Sequence, residues 1–258
     1  MNADGLSESQ RIRSGIRAGR IDGTSRGMAP GFVQCNLAIL PEAYAFDFLL
    51  YCQRNQRACP VLEVTDPGAV EPKKLAPGAD LRTDCGRYSV FIDGVRQDDR
   101  TDVRDLWRDD LVSFLIGSGI TFDDAFERAG VPTGRNRWVL RTDRPTEPAG
   151  PFKGNLIVTM RWLTPQQAIT AVQVSARFPF NHGAPIHISD PQELGADLEH
   201  PMFGGPVPPL PKELTPVFWA CGVTPQSAAE NARLPLFIAH AAAHSFITDL
   251  PADHLMTA

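Results

Sequence analysis

Residues 177–190 bring a guanidinium, an amide, two imidazoles, a hydroxyl and a carboxylate into fourteen positions. Such a set can hold a small anion and move its protons. Arg177 and Asn181 would donate hydrogen bonds to a carboxylate, while His182 and His187 bring the side-chain type whose ordinary pKa suits it to take and return a proton. Pro179, Gly183 and Pro185 lie in the same stretch, so the polar side chains could equally serve the backbone of a turn.

Two further stretches offer related chemistry. Asp80, Arg82 and Asp84 follow a Pro-Gly turn; they read either as a structural ion pair or as a pocket in which Arg82 pins a carboxylate and Asp84 orients an imidazole. His240 and His244 would share one face of a helix at the spacing of a two-His metal site, but no Glu stands between them and the HExxH pattern fails. Hydrogen-bonding or proton-relaying imidazoles are the preferred reading, with His244 the candidate acid or base. Gln34 and Asn36 would lie side by side on a strand, to orient a carboxylate or to bond each other. Arg161, beside Trp162, would cover an aromatic face or bind an anion. Cys221, at a strand end, reads as a buried small residue before a nucleophile.

Positioning these groups requires a set of alternating elements. Ser7 and Gln10 have capping-box spacing and predict a helix over about residues 8–19, with Arg11, Arg13, Arg17 and Arg20 as a solvated face. Residues 32–40 predict a strand, and Pro41 opens a helix with an apolar stripe at Ala45, Phe48, Leu49 and Cys52. Short strands are expected at 60–64 and 87–93, the latter closed by an Asp93-Gly94 hairpin turn. From Thr101 the pattern reads as helical through 111–116, with Asp109 and Asp110 complementing the helix dipole. A short helix capped at 121–124 ends near Gly130. Strands at 156–162 and 217–223 and helix starts at Thr164 and Thr224 follow, and the alternation over 170–176 predicts a strand that delivers the polar stretch. Residues 204–211 read as extended surface chain.

At 258 residues and 28.2 kDa the chain can bury a large core. A net charge of -5 argues against nucleic acid as a partner, and no segment approaches the length of a membrane span. The five cysteines form no CxxC pair and suit a reducing compartment, so a cytoplasmic location is expected. The expected partner is a small anionic amino acid or carboxylate. No cofactor is called for, a metal is left open, and a homodimer is expected only as a prior for enzymes of this size.

Several stretches together resemble the D-glutamate cyclase family, whose bacterial members carry a hydro-lyase label. They are Gly31-Phe-Val-Gln-Cys-Asn36, Cys59-Pro-Val-Leu-Glu63, Ala76-Pro-Gly-Ala-Asp-Leu-Arg-Thr-Asp84, Trp107-Arg-Asp-Asp-Leu-Val112, Arg177-Phe-Pro179 with His182-Gly-Ala-Pro185, Pro216-Val-Phe-Trp-Ala-Cys-Gly-Val-Thr-Pro225 and Phe246-Ile-Thr-Asp249. The resemblance implies an α/β fold of two intimately joined lobes around mixed sheets, one unit over 1–258 with a candidate lobe boundary near 144–154. It implies closure of D-glutamate to 5-oxo-D-proline with loss of water. A module that binds glutamate, 5-oxoproline or a related acid without converting it is the alternative, and elimination of water from a hydroxy acid is a second enzymatic one. Relatives usually have His-Ala-Pro-Gly-His where this chain has His240-Ala-Ala-Ala-His244, which points to a more helical turn here.

Overall fold

The computed structural model describes residues 5–134 and 136–257. The chain begins with α1 (Glu8–Arg17), whose start is the expected capping box: Ser7 accepts from the Gln10 amide and the Gln10 side chain accepts from the Ser7 amide. Its arginines are not all solvated. Arg13 is 3% exposed and grips Asp249 with both terminal nitrogens, and Arg17 grips Asp84, so α1 is clamped to the body at two points.

There follow β1 (Phe32–Pro41), α2 (Glu42–Arg54), β2 (Val61–Val64), β3 (Tyr88–Ile92), β4 (Val95–Arg96), β5 (Leu111–Gly117) and α3 (Asp123–Arg128). The second half holds β6 (Arg137–Pro145), β7 (Asn155–Leu163), α4 (Pro165–Ala176), β8 (His187–Ile188), β9 (Thr215–Ala220), α5 (Val223–Ala232), β10 (Phe237–His240) and β11 (Phe246–Pro251). The expected α/β class holds, with two sheets. One has the order β2-β5-β1-β10-β3-β4 with β11 also on β1; the other runs β6-β7-β9-β8, and every pairing is antiparallel.

Two expectations fail for the same reason. Residues 111–116 form β5, the strand beside β1, and are buried throughout, whereas 170–176 continue α4 from its Thr164 cap. A run of apolar residues buried on both faces carries no readable period, and an alternating run that is short can belong to a helix. Residues 240–244, read from sequence as a more helical turn, instead end β10 at His240 and turn toward β11, with Ala243 at φ 61°. The Asp93-Gly94 hairpin joins β3 to β4 as expected. Residues 146–154 join β6 to β7 within the second sheet. Among the described residues no helix is long and apolar enough to cross a membrane.

β1 explains how the core supports a site. Val33, Cys35, Leu37 and Ile39 point into one apolar cluster, which continues through Phe122, Phe126 and Trp219 to the second sheet; Ala38 and Leu40 point into another beneath α2 and α5. The latter face also carries Gln34 and Asn36, so at its N-terminal end a core strand turns polar on one side. Burying two amides there without partners would cost on the order of 1–3 kcal/mol each, and both donate hydrogen bonds.

Candidate active site

A cleft of about 140 Å³ opens where the first sheet is interrupted. β10 and β11 share one edge of β1: Ala38 and Ile39 pair with β10, Cys35 and Gln34 with β11. Between them the ladder breaks. The Leu37 amide, lacking a strand carbonyl, donates instead to Nδ1 of His240 at 3.2 Å. On the other edge β5 ends at Gly117, and Ser118, Gly119 and Ile120 continue as cleft wall. The opposite wall is one face of the second sheet, with Arg137 and Val139 from β6, Thr159 and Arg161 from β7, and Trp219 from β9.

Two buried histidines line this cleft, His182 at 3% and His240 at 6% exposure. Their tautomers follow from their backbone partners. An amide N–H can only donate, so Nδ1 of His240 is unprotonated and its Nε2 carries the hydrogen. A carbonyl can only accept, so Nδ1 of His182, 3.0 Å from the Arg57 oxygen, carries the hydrogen and its Nε2 is a lone pair. Burial pushes both imidazoles down to about 4, which keeps them neutral at pH 7. The cleft therefore presents one neutral donor and one neutral acceptor. His182 is held at φ 77°, the left-handed region, just after a short 3-10 helix at Pro179–Asn181. A non-glycine residue there is strained by about 1–3 kcal/mol, a cost that clusters at functional sites.

The charged wall is built around Asp123. Arg137 and Arg161 stand directly opposite each other across β6 and β7, a pairing of like charges that is unfavourable by itself. Asp123 resolves it: Oδ1 accepts from Arg161 Nη2 and Oδ2 from Arg137 Nη1 at 3.0 Å. Arg161 also lies 5.2 Å over the Phe126 ring and 5.9 Å from that of Trp219. Arg26 reaches the cleft from the loop before β1. Although it meets solvent at the mouth, desolvation first and then the nearby Arg137 pull its pKa down to about 10, so it remains a cation at neutral pH. Three guanidiniums thus surround one carboxylate.

Of the residues singled out from sequence, His182, His240, Asn36, Arg161 and Cys221 line the cleft, Cys221 half-buried rather than in the core. Asn181 and Gln34 lie just behind it. Asn181 donates to the Ser118 oxygen and Thr121 Oγ1, fixing the turn that carries His182. Gln34 Nε2 donates to the carbonyls of Ser25 and Met28, 3.0 Å each, fixing the loop that carries Arg26. Asn36 donates to the Gly117 oxygen and lies so close to Gly222 that a Cβ there would sit 1.9 Å from its Nδ2.

The others stand elsewhere. Asp84 pairs with Arg17 and accepts from the Asp80 amide, and Arg82 pairs with Asp80. Arg177 is exposed at the end of α4. His187 packs 5.6 Å from Phe218 and donates to the Asp190 carbonyl from the edge of the second sheet. His244 bonds the Ala242 carbonyl in the turn, out of line with His240. Arg26, Arg137 and Asp123 carry no local signal: Asp123 reads as a helix start, and Arg26 sits in a glycine-rich loop. Among the described residues no group of three or more His, Cys, Asp or Glu converges as a metal site.

The sequence profile described as D-glutamate cyclase matches residues 112–249. The chain belongs to the D-glutamate cyclase family. That span includes His182, His240, Asp123, Arg137 and Arg161, while Arg26 and Asn36 precede it. Relatives each named "Putative hydro-lyase" are similar over nearly the full length. One from Jannaschia sp. is 48% identical over 259 residues, covering 98% of this chain and 97% of its own. One from Bordetella petrii is 50% identical over 246 residues, covering 93% of each, and one from Rubrobacter xylanophilus is 49% identical over 255, covering 96% and 97%. Among solved structures, the nitrogen repressor-like protein MJ0159 of Methanococcus jannaschii aligns at a TM-score of 0.37 and 12% identity, over 90% of this chain and 91% of that one.

Proposed function

We propose that this member of the D-glutamate cyclase family closes D-glutamate to 5-oxo-D-proline with loss of water. The observation that carries the reading is the pair of neutral imidazoles of opposite tautomer on one cleft, beneath a wall with two more cationic than anionic side chains. The arginines would hold the substrate's carboxylates and keep the amine near the carbon it attacks. The Nε2–H of His240 would donate to the γ-carboxyl oxygen on which negative charge develops, a fixed donor in a dry site. The reacting form has a neutral α-amine and a protonated γ-carboxyl, the ammonium proton having passed to the carboxylate by way of Nε2 of His182; as the C–N bond forms, the remaining amine protons become acidic and Nε2 of His182 takes one. The resulting buried imidazolium is a strong acid and returns that proton to the hydroxyl, so the C–O bond breaks and water leaves. Both histidines end the cycle as they began it.

Chiral chromatography of D- and L-glutamate incubated with purified, EDTA-treated protein tests this against a heat-killed control. The expected result is 5-oxo-D-proline from the D isomer alone, with turnover lowered by about 100-fold or more in His182→Asn and in His240→Asn. Solvent deuterium appearing at carbon would instead indicate elimination from a carbon acid. Affinity for glutamate without product from either isomer, with or without divalent metals, would make the protein a binding module.

A further inference from the structure

We propose that Arg26 is the specificity-determining residue of this cleft, and that it reserves the site for acids that carry a second anionic group. The inference rests on the reading above, in which the reacting carboxyl lies beside His182 and His240. Asp123 is fully spent: each of its oxygens takes one guanidinium, Arg161 or Arg137. Arg26 is left over, with no hydrogen bond or ion pair among the described residues. Arg137 also keeps an unused donor, its Nε, which is buried without a partner. Arg26 and Arg137 stand together on the wall of the cleft and of the adjoining recess outside it, so two guanidinium groups flank the same space. An anion placed there would give Arg26 the acceptor it lacks, with the Arg137 guanidinium beside it adding positive charge.

The loop that carries Arg26 is built to stay in place. Gln34 Nε2 ties Ser25 and Met28 on either side of it, and the Ser25 amide donates to the Ala243 carbonyl at 2.8 Å, in the turn that follows His240. The cation is thereby held at the cleft mouth, in register with the turn beside the imidazole that would act on the substrate's other end. A short dicarboxylate meets this geometry. A phosphorylated acid offers the same oxyanion chemistry.

Calorimetric titration with three unreactive probes, butyrate, glutarate and inorganic phosphate, separates these cases in the wild type, Arg26→Gln and Arg177→Gln. The last removes an equal charge at an exposed position outside the cleft lining. Wild type is expected to bind glutarate about tenfold or more tighter than butyrate. Arg26→Gln should bring the two within about threefold by weakening glutarate alone, and Arg177→Gln should behave as wild type. Discrimination kept in Arg26→Gln, or lost equally in Arg177→Gln, would overturn the assignment. So would phosphate bound more tightly than glutarate, which would give the position to a phosphoryl group, or no binding of any probe at millimolar concentration. None of the probes carries an amine, so the result stands whether or not glutamate is cyclised.

Discussion

At the scale of the residue, the chemistry of the cleft is set by what the backbone offers each imidazole. His182 and His240 are alike in type, burial and depressed pKa, and differ because one meets a carbonyl and the other an amide. Unfolded histidines titrate near 6.5, so below that value the unfolded chain binds protons that the folded chain refuses. Stability is therefore complete above about pH 6.5 and falls as pH drops toward 4, by on the order of 3 kcal/mol for each histidine. Urea unfolding at pH 7, 5.5 and 4.5 should show this fall, and His182→Asn should lessen it; a flat profile would mean that the imidazoles are charged in the folded protein. The acid limb of kcat/KM should likewise lie near 4, well below that of a solvated histidine. His182 could be found from sequence because it lies in a stretch dense with chemical groups. His240 was visible only as half of a pair with His244, since the amide that sets its tautomer belongs to a strand two hundred residues away in the chain.

At the scale of the element, local signals were legible wherever they are encoded by neighbours. The Ser7 capping box, the Thr164 N-cap and the Asp93-Gly94 hairpin are of this kind, each closed by hydrogen bonds spanning a few residues. β5 was not legible, because burial on both faces erases the alternation that marks a strand. Yet β5 positions the site. At Gly117 the strand approaches the 3-10 helix before His182 so closely that a Cβ would lie 1.8 Å from the Phe180 carbonyl oxygen. Backbone cannot rotate out of the way as a side chain can. Gly117→Ala should therefore push the segment bearing Asn181 and His182 outward, lowering stability by about 3 kcal/mol and turnover with it. Thermal unfolding and the glutamate assay measure both; a variant with unchanged melting temperature and activity would show that this approach does not hold His182 in place.

At the scale of the whole molecule, two sheets that share a continuous apolar cluster are also joined by charge. Asp123 follows β5 of the first sheet, on α3, and its partners Arg137 and Arg161 belong to the second. A carboxylate placed between two opposed arginines converts a repulsive pair into a bridge, while leaving the cleft with an excess of positive charge for an anion. The charge balance of the cleft and the joint between the sheets thus draw on one residue. Asp123→Asn keeps the shape and removes the charge, leaving the 3%-exposed Arg161 as a buried cation without a counter-ion. Breaking such a pair from one side typically costs about 3–5 kcal/mol, most of it the penalty for the stranded charge. Adding Arg161→Met to Asp123→Asn removes that charge, so the double variant should be more stable than Asp123→Asn alone although it carries one more substitution. Denaturant midpoints of the two single variants, the double variant and the wild type complete the cycle. If the double variant is less stable than Asp123→Asn by the full cost of Arg161→Met, the two residues are independent, and the sheets are held by their apolar cluster with no electrostatic bridge between them.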